Sequence, residues 1–108
     1  MLTLTTPEKL SEPEREPLFS IDGVEVTVPK GNFDAAFALR YLDVADKLGL
    51  DSATVWLFEN GLSEGGWSLL MNYAALEQEH VSQISDVLRA KVTGALDTGP
   101  KGRRLQSA

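Results

Sequence analysis

The dipeptide Asp22-Gly23 constrains the fold of this chain more than any other local feature. It lies at the centre of the segment 17–29, PLFSIDGVEVTVP, which has a proline at each end. Asp-Gly is favoured at the two central positions of a type I′ turn, because both positions need a positive φ angle. The segment is therefore predicted to form a β-hairpin with a two-residue turn.

The register of this hairpin is predicted to place its apolar residues on one side. Ile21 should face Val24, and Phe19 should face Val26. The other side carries a mostly polar set: Leu18, Ser20, Glu25 and Thr27. Because an isolated hairpin is marginally stable in water, its apolar side has to pack on another element.

Helical periodicity dominates the rest of the folded region. Apolar residues recur at helical spacing over 32–48 and over 77–95, which predicts a first and a last helix there. A short, unusually apolar helix is predicted over 51–58. The segment 65–76 is a weaker third candidate, because two glycines at its start disfavour the first helical turn.

Residue types at the helix ends predict where the helices begin and end. Asn32, Asp51 and Ser63 are predicted to cap the first three helices, since their side-chain oxygens can accept from free amides. Asp34 would then lie in the first turn, where a carboxylate complements the helix dipole. Gly49 is predicted to end the first helix in a left-handed conformation.

Together these elements predict a mainly α domain of the α+β class, with an N-terminal hairpin packed on a bundle of three to four helices. The globular domain should span 17–96, with Phe19 or Ile21 in its core. The arm 1–16 and the tail 97–108 are predicted to be flexible, because neither has apolar periodicity. A domain this small has little stability in reserve, so self-association as a homo-oligomer is expected.

Charge and composition exclude several classes of function. The net charge is −6 and the isoelectric point about 4.6. The basic residues cluster only at Lys101, Arg103 and Arg104, which disfavours binding to nucleic acid. There is no cysteine, no signal-peptide pattern at the start and no apolar run of roughly 20 residues. We therefore expect a soluble, intracellular protein without a membrane partner.

His80, the single histidine, is the first residue to consider for a metal site. Glu77 and His80 have the spacing used in di-iron bundles, but that motif occurs twice in such bundles and once here. A zinc site usually needs three or four ligands with His or Cys among them. The favoured interpretation is a surface histidine beside a helix start, with no metal and no cofactor.

Serine and aspartate pairs offer only weak candidates for hydrolytic chemistry. Asp51-Ser52 and the group Ser82, Ser85 and Asp86 are better explained by helix capping and by solvated helix faces. Neither glycine-rich segment has the strand and helix flanks of a phosphate-binding loop. The chain is predicted not to be an enzyme and to have no catalytic residues.

Large apolar side chains crowd the middle of the sequence. Core packing accounts for most of them, but a short chain has few elements to cover two tryptophans. Part of this region is therefore predicted to contact a neighbouring subunit or another protein. The predicted partner-binding residues are Trp56, Phe58, Trp67 and Leu70.

The order of these segments resembles the tail assembly chaperones of siphophages that infect actinobacteria. The likeness covers 17–104, and its best local pieces are 19–29 and 38–42. A capped helix, the segment WSLLM and a last amphipathic helix follow. The chain then closes on Gly99-Pro100-Lys101-Gly102.

The resemblance implies a non-catalytic function in viral tail assembly. Such chaperones bind the long, helical tape-measure protein, keep it soluble and help tail tube subunits polymerise around it. They act in the host cell cytoplasm and are not expected in the mature virion. They are made as a short form, which this chain would be, and as a longer form produced by programmed ribosomal frameshifting. Runs of identical bases, which slippage requires, can encode the segment 99–102.

Two alternatives come from other classes of protein. One is a structural virion component such as a head–tail connector or a minor tail protein, which purified particles would contain. The other is a small helical protein-binding regulator. A DNA-binding regulator would need a basic recognition helix, and neither the first nor the last predicted helix offers one.

Overall fold

The structure is a computed structural model that describes residues 2–5 and 14–97. In this part of the chain an antiparallel hairpin precedes four helices: β1 Arg15–Ile21, β2 Val24–Pro29, α1 Ala35–Leu48, α2 Leu50–Gly61, α3 Gly66–Met71 and α4 Gln78–Leu96. The predicted fold class is confirmed. Most of the predicted flexible arm and tail, 1–16 and 97–108, lies outside the described residues.

The turn of the hairpin has the predicted geometry. Asp22 and Gly23 have φ angles of 51° and 81°, as a type I′ turn requires. Ile21 pairs with Val24, and two positions further from the turn Phe19 pairs with Val26. The dipeptide therefore determines the register as expected.

An irregularity in β1 changes which side chains face the core. The pairing shifts between Pro17 and Phe19, so Leu18 is an extra residue in the strand. Leu18 is partly buried against the core, although it was predicted on the polar side. Val24 was predicted on the apolar side, but it lies beside the turn and is exposed. The strand also begins at Arg15, before the predicted boundary of the hairpin.

The hairpin packs on the helices through one apolar core. Its fully buried members include Val26 and Val28 from β2, Leu57 from α2 and Leu88 from α4. Ile21 is also buried, and Phe19 is partly buried against the same cluster. The predicted contribution of the hairpin to the core is confirmed.

Polar bonds fix β2 to the loop between α2 and α3. The amide of Thr27 donates to Ser63 Oγ at 2.9 Å, and the amide of Ser63 donates to the Thr27 carbonyl at 3.0 Å. The prediction that Ser63 caps the third helix was therefore wrong, because its hydroxyl is bonded to the strand. Gly65, in a left-handed conformation, precedes α3 instead. This helix covers only part of the predicted segment 65–76.

Two other predicted caps are also displaced. Asp34, not Asn32, caps α1, because its carboxylate accepts from the amide of Phe37 at 2.8 Å. Gly49 ends α1 at the predicted position, but its φ of 94° and ψ of 167° are not the predicted left-handed helical conformation. Since α2 begins immediately afterwards, Asp51 lies in its first turn and does not cap it.

Lys91 ties α4 to both ends of the hairpin. Its Nζ lies 2.9 Å from Glu16 Oε1 and donates to the carbonyls of Lys30 and Gly31 at 3.3 and 2.9 Å. Only 12% of the lysine side chain is exposed. The hairpin is thus fixed to α4 by a charge as well as by apolar packing.

Candidate interaction surfaces

His80 has a structural role at the start of α4. Its Nδ1 accepts a hydrogen bond from the amide of Glu77 at 3.1 Å, and the Glu77 side chain accepts in return from the His80 amide. This reciprocal arrangement is a capping box in which histidine takes the usual place of glutamate or glutamine. The interpretation as an exposed histidine beside a helix start is confirmed. The described residues contain no group of three or more His, Cys, Asp or Glu that could hold a metal ion.

Four of the five weak hydrolytic candidates lie along the cleft between α2 and α4. Asp51, Ser82, Ser85 and Asp86 line it, whereas Ser52 does not. The Ser85 hydroxyl is buried and has no hydrogen-bond partner in the described structure, and His80 does not line the cleft. A serine whose oxygen is inaccessible and unpaired has no base to activate it. The buried Ser85 hydroxyl is therefore not placed to act as a nucleophile.

The predicted partner-binding residues fall into two separate groups. Trp56 is partly buried, and its ring lies 4.9 Å from that of Phe37. The Phe37 ring in turn stacks on Phe33 at 4.1 Å. These three aromatic residues join the start of α1 to the middle of α2.

The second group lies on another side of α2. Phe58 and Leu70 are buried in the core, so their side chains are not available to a partner in this state. Trp67 is partly buried and meets Phe58 edge to face, with ring centroids 5.9 Å apart. Partner contact stays a prediction for the two tryptophans, but the four residues do not form one surface.

An open groove runs beside the first aromatic group. We call it the aromatic groove; its volume is about 860 Å³. The apolar residues that line it are Pro29, Phe33, Phe37 and Leu62, and polar residues lie at its rim. The rim residues are Arg15, Thr27, Asn32, Asp34, Asn60, Ser63 and Glu64. An apolar floor with a polar rim is the usual form of a protein-binding surface.

A second open groove lies between α1 and α4. We call it the α1–α4 groove; its volume is about 450 Å³. Its lining residues are Tyr41, Leu42, Arg89, Val92, Thr93, Leu96 and Asp97. Leu39, one helical turn before Leu42, is also exposed. This surface was not predicted from the sequence, because the prediction used only the aromatic stripe of α1. The leucines outside that stripe could have indicated the groove.

The described domain is more acidic than the whole chain. Residues 14–97 contain 14 aspartates and glutamates against 6 lysines and arginines, a net charge of −8. No helix in the described residues is long and apolar enough to cross a membrane. Both grooves therefore lie on a strongly acidic protein, which favours partners with basic segments.

Comparison with known proteins adds no family to this description. No family model, curated protein or solved structure matches the chain.

Proposed function

We propose that this protein is a non-catalytic tail assembly chaperone of a bacteriophage, which binds the tape-measure protein and keeps it soluble while tail tube subunits assemble. The ordered resemblance described above suggests the family. The observation that carries the physical case is the aromatic groove, an apolar surface that stays open on a small acidic domain.

The aromatic groove fits a helical segment better than a small molecule. Its apolar floor is formed by side chains from the end of β2, the start of α1 and the end of α2, so three elements contribute to it. Helix-in-groove recognition uses a few apolar anchors spaced along one face of the bound helix. A tape-measure protein is a long helix with many such faces, so several copies of a weak binder could cover it.

Reversible binding suits the proposed role. Tube subunits must displace the chaperone, so each chaperone copy has to bind the tape-measure protein weakly. The total binding strength must therefore come from many copies. The acidic domain also keeps the covered tape-measure protein soluble through its net charge. Self-association, expected from the small size of the domain, is part of this proposal and is tested by light scattering at high micromolar concentration.

The test is co-expression with the product of the reading frame immediately downstream, where a tape-measure gene is expected. The amount of that product in the soluble fraction should rise severalfold when this protein is present. Asn60→Arg should reduce the gain, because the longer side chain obstructs the groove from its exposed rim. Val24→Arg is the matched control, since it adds the same charge at an exposed position that lines no groove described above.

Trp56→Ala and Trp67→Ala test the predicted tryptophan contacts. Melting temperatures are measured in parallel, because both rings pack against core residues. Equal solubilisation by Asn60→Arg, Val24→Arg and the unmodified protein would refute the groove assignment. No solubilisation by any of them would refute the chaperone function itself. Detection of the protein in purified particles by mass spectrometry would favour a structural virion component.

A further inference from the structure

A cavity of about 330 Å³ lies between β1 and the first half of α4, and we call it the β1–α4 cavity. Ser20, His80 and Gln83 are the polar residues of its described lining, which contains no Asp, Glu, Lys or Arg. The other lining residues are apolar or aromatic: Leu18, Phe19, Ile21, Leu70, Tyr73, Leu76, Ile84 and Val87. A lining of this kind fits an uncharged, apolar group.

The outer edge of β1 is open beside this cavity. Ile21 and Val24 close the two-residue turn and form a hydrogen-bonded pair, so the next pair along the ladder, Ser20 and Glu25, is not hydrogen-bonded. The amide and carbonyl of Ser20 therefore point away from β2. No described residue outside the hairpin bonds to them. β1 thus offers a free donor and a free acceptor next to an apolar cavity.

The described segment 2–5, LTLT, has the pattern of a short strand. Its leucines alternate with threonines, and threonine is favoured in strands. Leu2 and Leu4 are 82% and 83% exposed, so their own domain does not bury them. An exposed amphipathic strand and an open sheet edge are therefore present in the same chain.

We propose that segment 2–5 of a second copy of the chain adds a third strand to β1 and places its leucines at the β1–α4 cavity. Addition of a strand to a sheet edge takes its affinity from main-chain hydrogen bonds and its specificity from pockets for alternate side chains. The contact does not rest on the proposed chaperone function. It assigns a surface to the self-association that the small size of the domain predicts.

Antiparallel pairing with Thr3 opposite Ser20 satisfies the open edge. These two residues exchange both main-chain hydrogen bonds, and their hydroxyl side chains lie on the same face of the sheet. The two leucines of the segment are then opposite Phe19 and Ile21, which line the cavity. One register therefore pairs polar with polar and apolar with apolar residues.

The lengths of the two strands also match. Pro17 has no amide to donate and Asp22 begins the turn, so the open part of the β1 edge is 18–21. This stretch is as long as the segment 2–5. The outer edge of β2 is less accessible, because Thr27 exchanges two hydrogen bonds with the α2–α3 loop. The β1 edge is therefore the one that a third strand joins.

The acidity of the domain does not prevent this contact. Residues 14–97 have a net charge of −8, but the segment 2–5 has no charged side chain, and 6–13 separate it from the domain in the sequence. The contact surfaces are thus uncharged on both sides, and only the domains behind them repel each other. Since salt screens that repulsion, about 0.5 M NaCl should tighten the association by roughly twofold or more.

Amide exchange measured by NMR at two protein concentrations tests the pairing. The Ser20 amide should exchange about tenfold more slowly at about 1 mM than at about 20 µM, because the Thr3 carbonyl accepts from it only in the assembly. The Glu25 amide is the internal control, since it points away from β1 at the opposite edge and should change little. Sedimentation velocity should show a rise in mass over the same range of concentration.

Variants on both strands identify the groups responsible. Leu2→Ser/Leu4→Ser should abolish the protection and the rise in mass but keep the melting temperature of the monomer, because both side chains are exposed. Met71→Ser is its control, at an exposed apolar residue of α3 that lines none of the cavities described here. Ser20→Pro should abolish the rise in mass, since it removes only the outward amide of β1. Glu25→Pro makes the same change on β2 and should leave the rise in mass intact.

Three results would overturn the proposal. Slow exchange of the Ser20 amide that is equal at both concentrations would mean that the segment docks on its own chain. An oligomer in which Ser20 stays unprotected would use another surface. A strict monomer at the higher concentration would exclude the contact altogether. None of these measurements involves the tape-measure protein, so this contact and the chaperone function can each fail without the other.

Discussion

Replacing Lys91 by methionine is expected to destabilise the protein much more than the same replacement at Lys47. Both lysines make an ion pair with an N–O distance of 2.9 Å, one with Glu16 and one with Asp43. The pairs differ in burial: the side chains of Lys91 and Glu16 are 12% and 42% exposed, whereas those of Lys47 and Asp43 are 67% and 58% exposed. Methionine keeps most of the aliphatic stem of lysine, so the comparison isolates the charged group.

The decrease in the free energy of unfolding follows from the contacts that each substitution removes. Lys91 also donates to the carbonyls of Lys30 and Gly31, and each such bond contributes about 0.5–1.5 kcal/mol net. The pair with the partly exposed Glu16 adds no more than about 1 kcal/mol after solvent screening. Lys91→Met should therefore lower the free energy of unfolding by about 2 kcal/mol. An exposed pair one helical turn apart contributes about 0.3–0.5 kcal/mol, which is the loss expected for Lys47→Met.

Urea denaturation monitored by tryptophan fluorescence measures both losses. For a domain of this size, 1 kcal/mol corresponds to a shift in melting temperature of about 4–8 °C, so thermal unfolding provides a second measurement. Glu16→Gln removes the ion pair but keeps an acceptor, and should cost about half as much as Lys91→Met. If Lys91→Met and Lys47→Met gave equal losses, the argument that α4 is fixed to the hairpin by Lys91 would be refuted.

Three further substitutions test the hairpin and its docking, each by urea denaturation. Gly23→Val should cost about 1–2 kcal/mol, because a β-branched residue resists the φ angle of 81°; an unchanged stability would contradict the turn type. Ser63→Ala should cost about 1–2 kcal/mol, since the β2 amide loses its acceptor. Gly66→Ala should cost about 1–3 kcal/mol, because an added Cβ would lie 2.7 Å from Val26 Cγ1. Its control, Gly31→Ala, places a Cβ in open space and should cost clearly less.

The sequence predicted the elements that depend on local chemistry. The hairpin follows from Asp22-Gly23 because the φ angles of the turn are a property of those two residues. Helices α1 and α4 follow from apolar periodicity, which persists for several turns in each. These are features that a few neighbouring residues determine without the rest of the chain.

Features that depend on distant residues were predicted less well. Ser63 is a reasonable helix cap by its residue type, but its hydroxyl is bonded to Thr27, which is 36 positions earlier. The Ser63 hydroxyl could bond to an amide of the third helix or to the amide of Thr27. Long-range packing selects the second bond, and the local sequence does not specify that packing. Leu18 packs against the core because the pairing of β1 is irregular at this position, and no turn residue in the sequence predicts that irregularity.

Helical geometry accounts for the division of the predicted partner-binding residues. Trp56 and Phe58 are two positions apart in α2, which turns their side chains about 200° from each other. One therefore packs on Phe37 and the other on Trp67. The density of aromatic residues predicted an interface. The angle between Trp56 and Phe58 around α2, however, means that these two residues could not belong to a single surface.

The two grooves use different sides of α1, so a tape-measure helix bound in one of them would not cover the other. Phe37 lines the aromatic groove and Leu42 lines the α1–α4 groove, and the five positions between them correspond to a rotation of about 140°. A helix bound at Phe37 therefore leaves the leucines of α1 uncovered. The amide resonance of Leu42 should be unchanged when a tape-measure fragment is added, while resonances of Phe37 shift. If the resonance of Leu42 shifted and those of Phe37 did not, the partner would bind the leucines of α1.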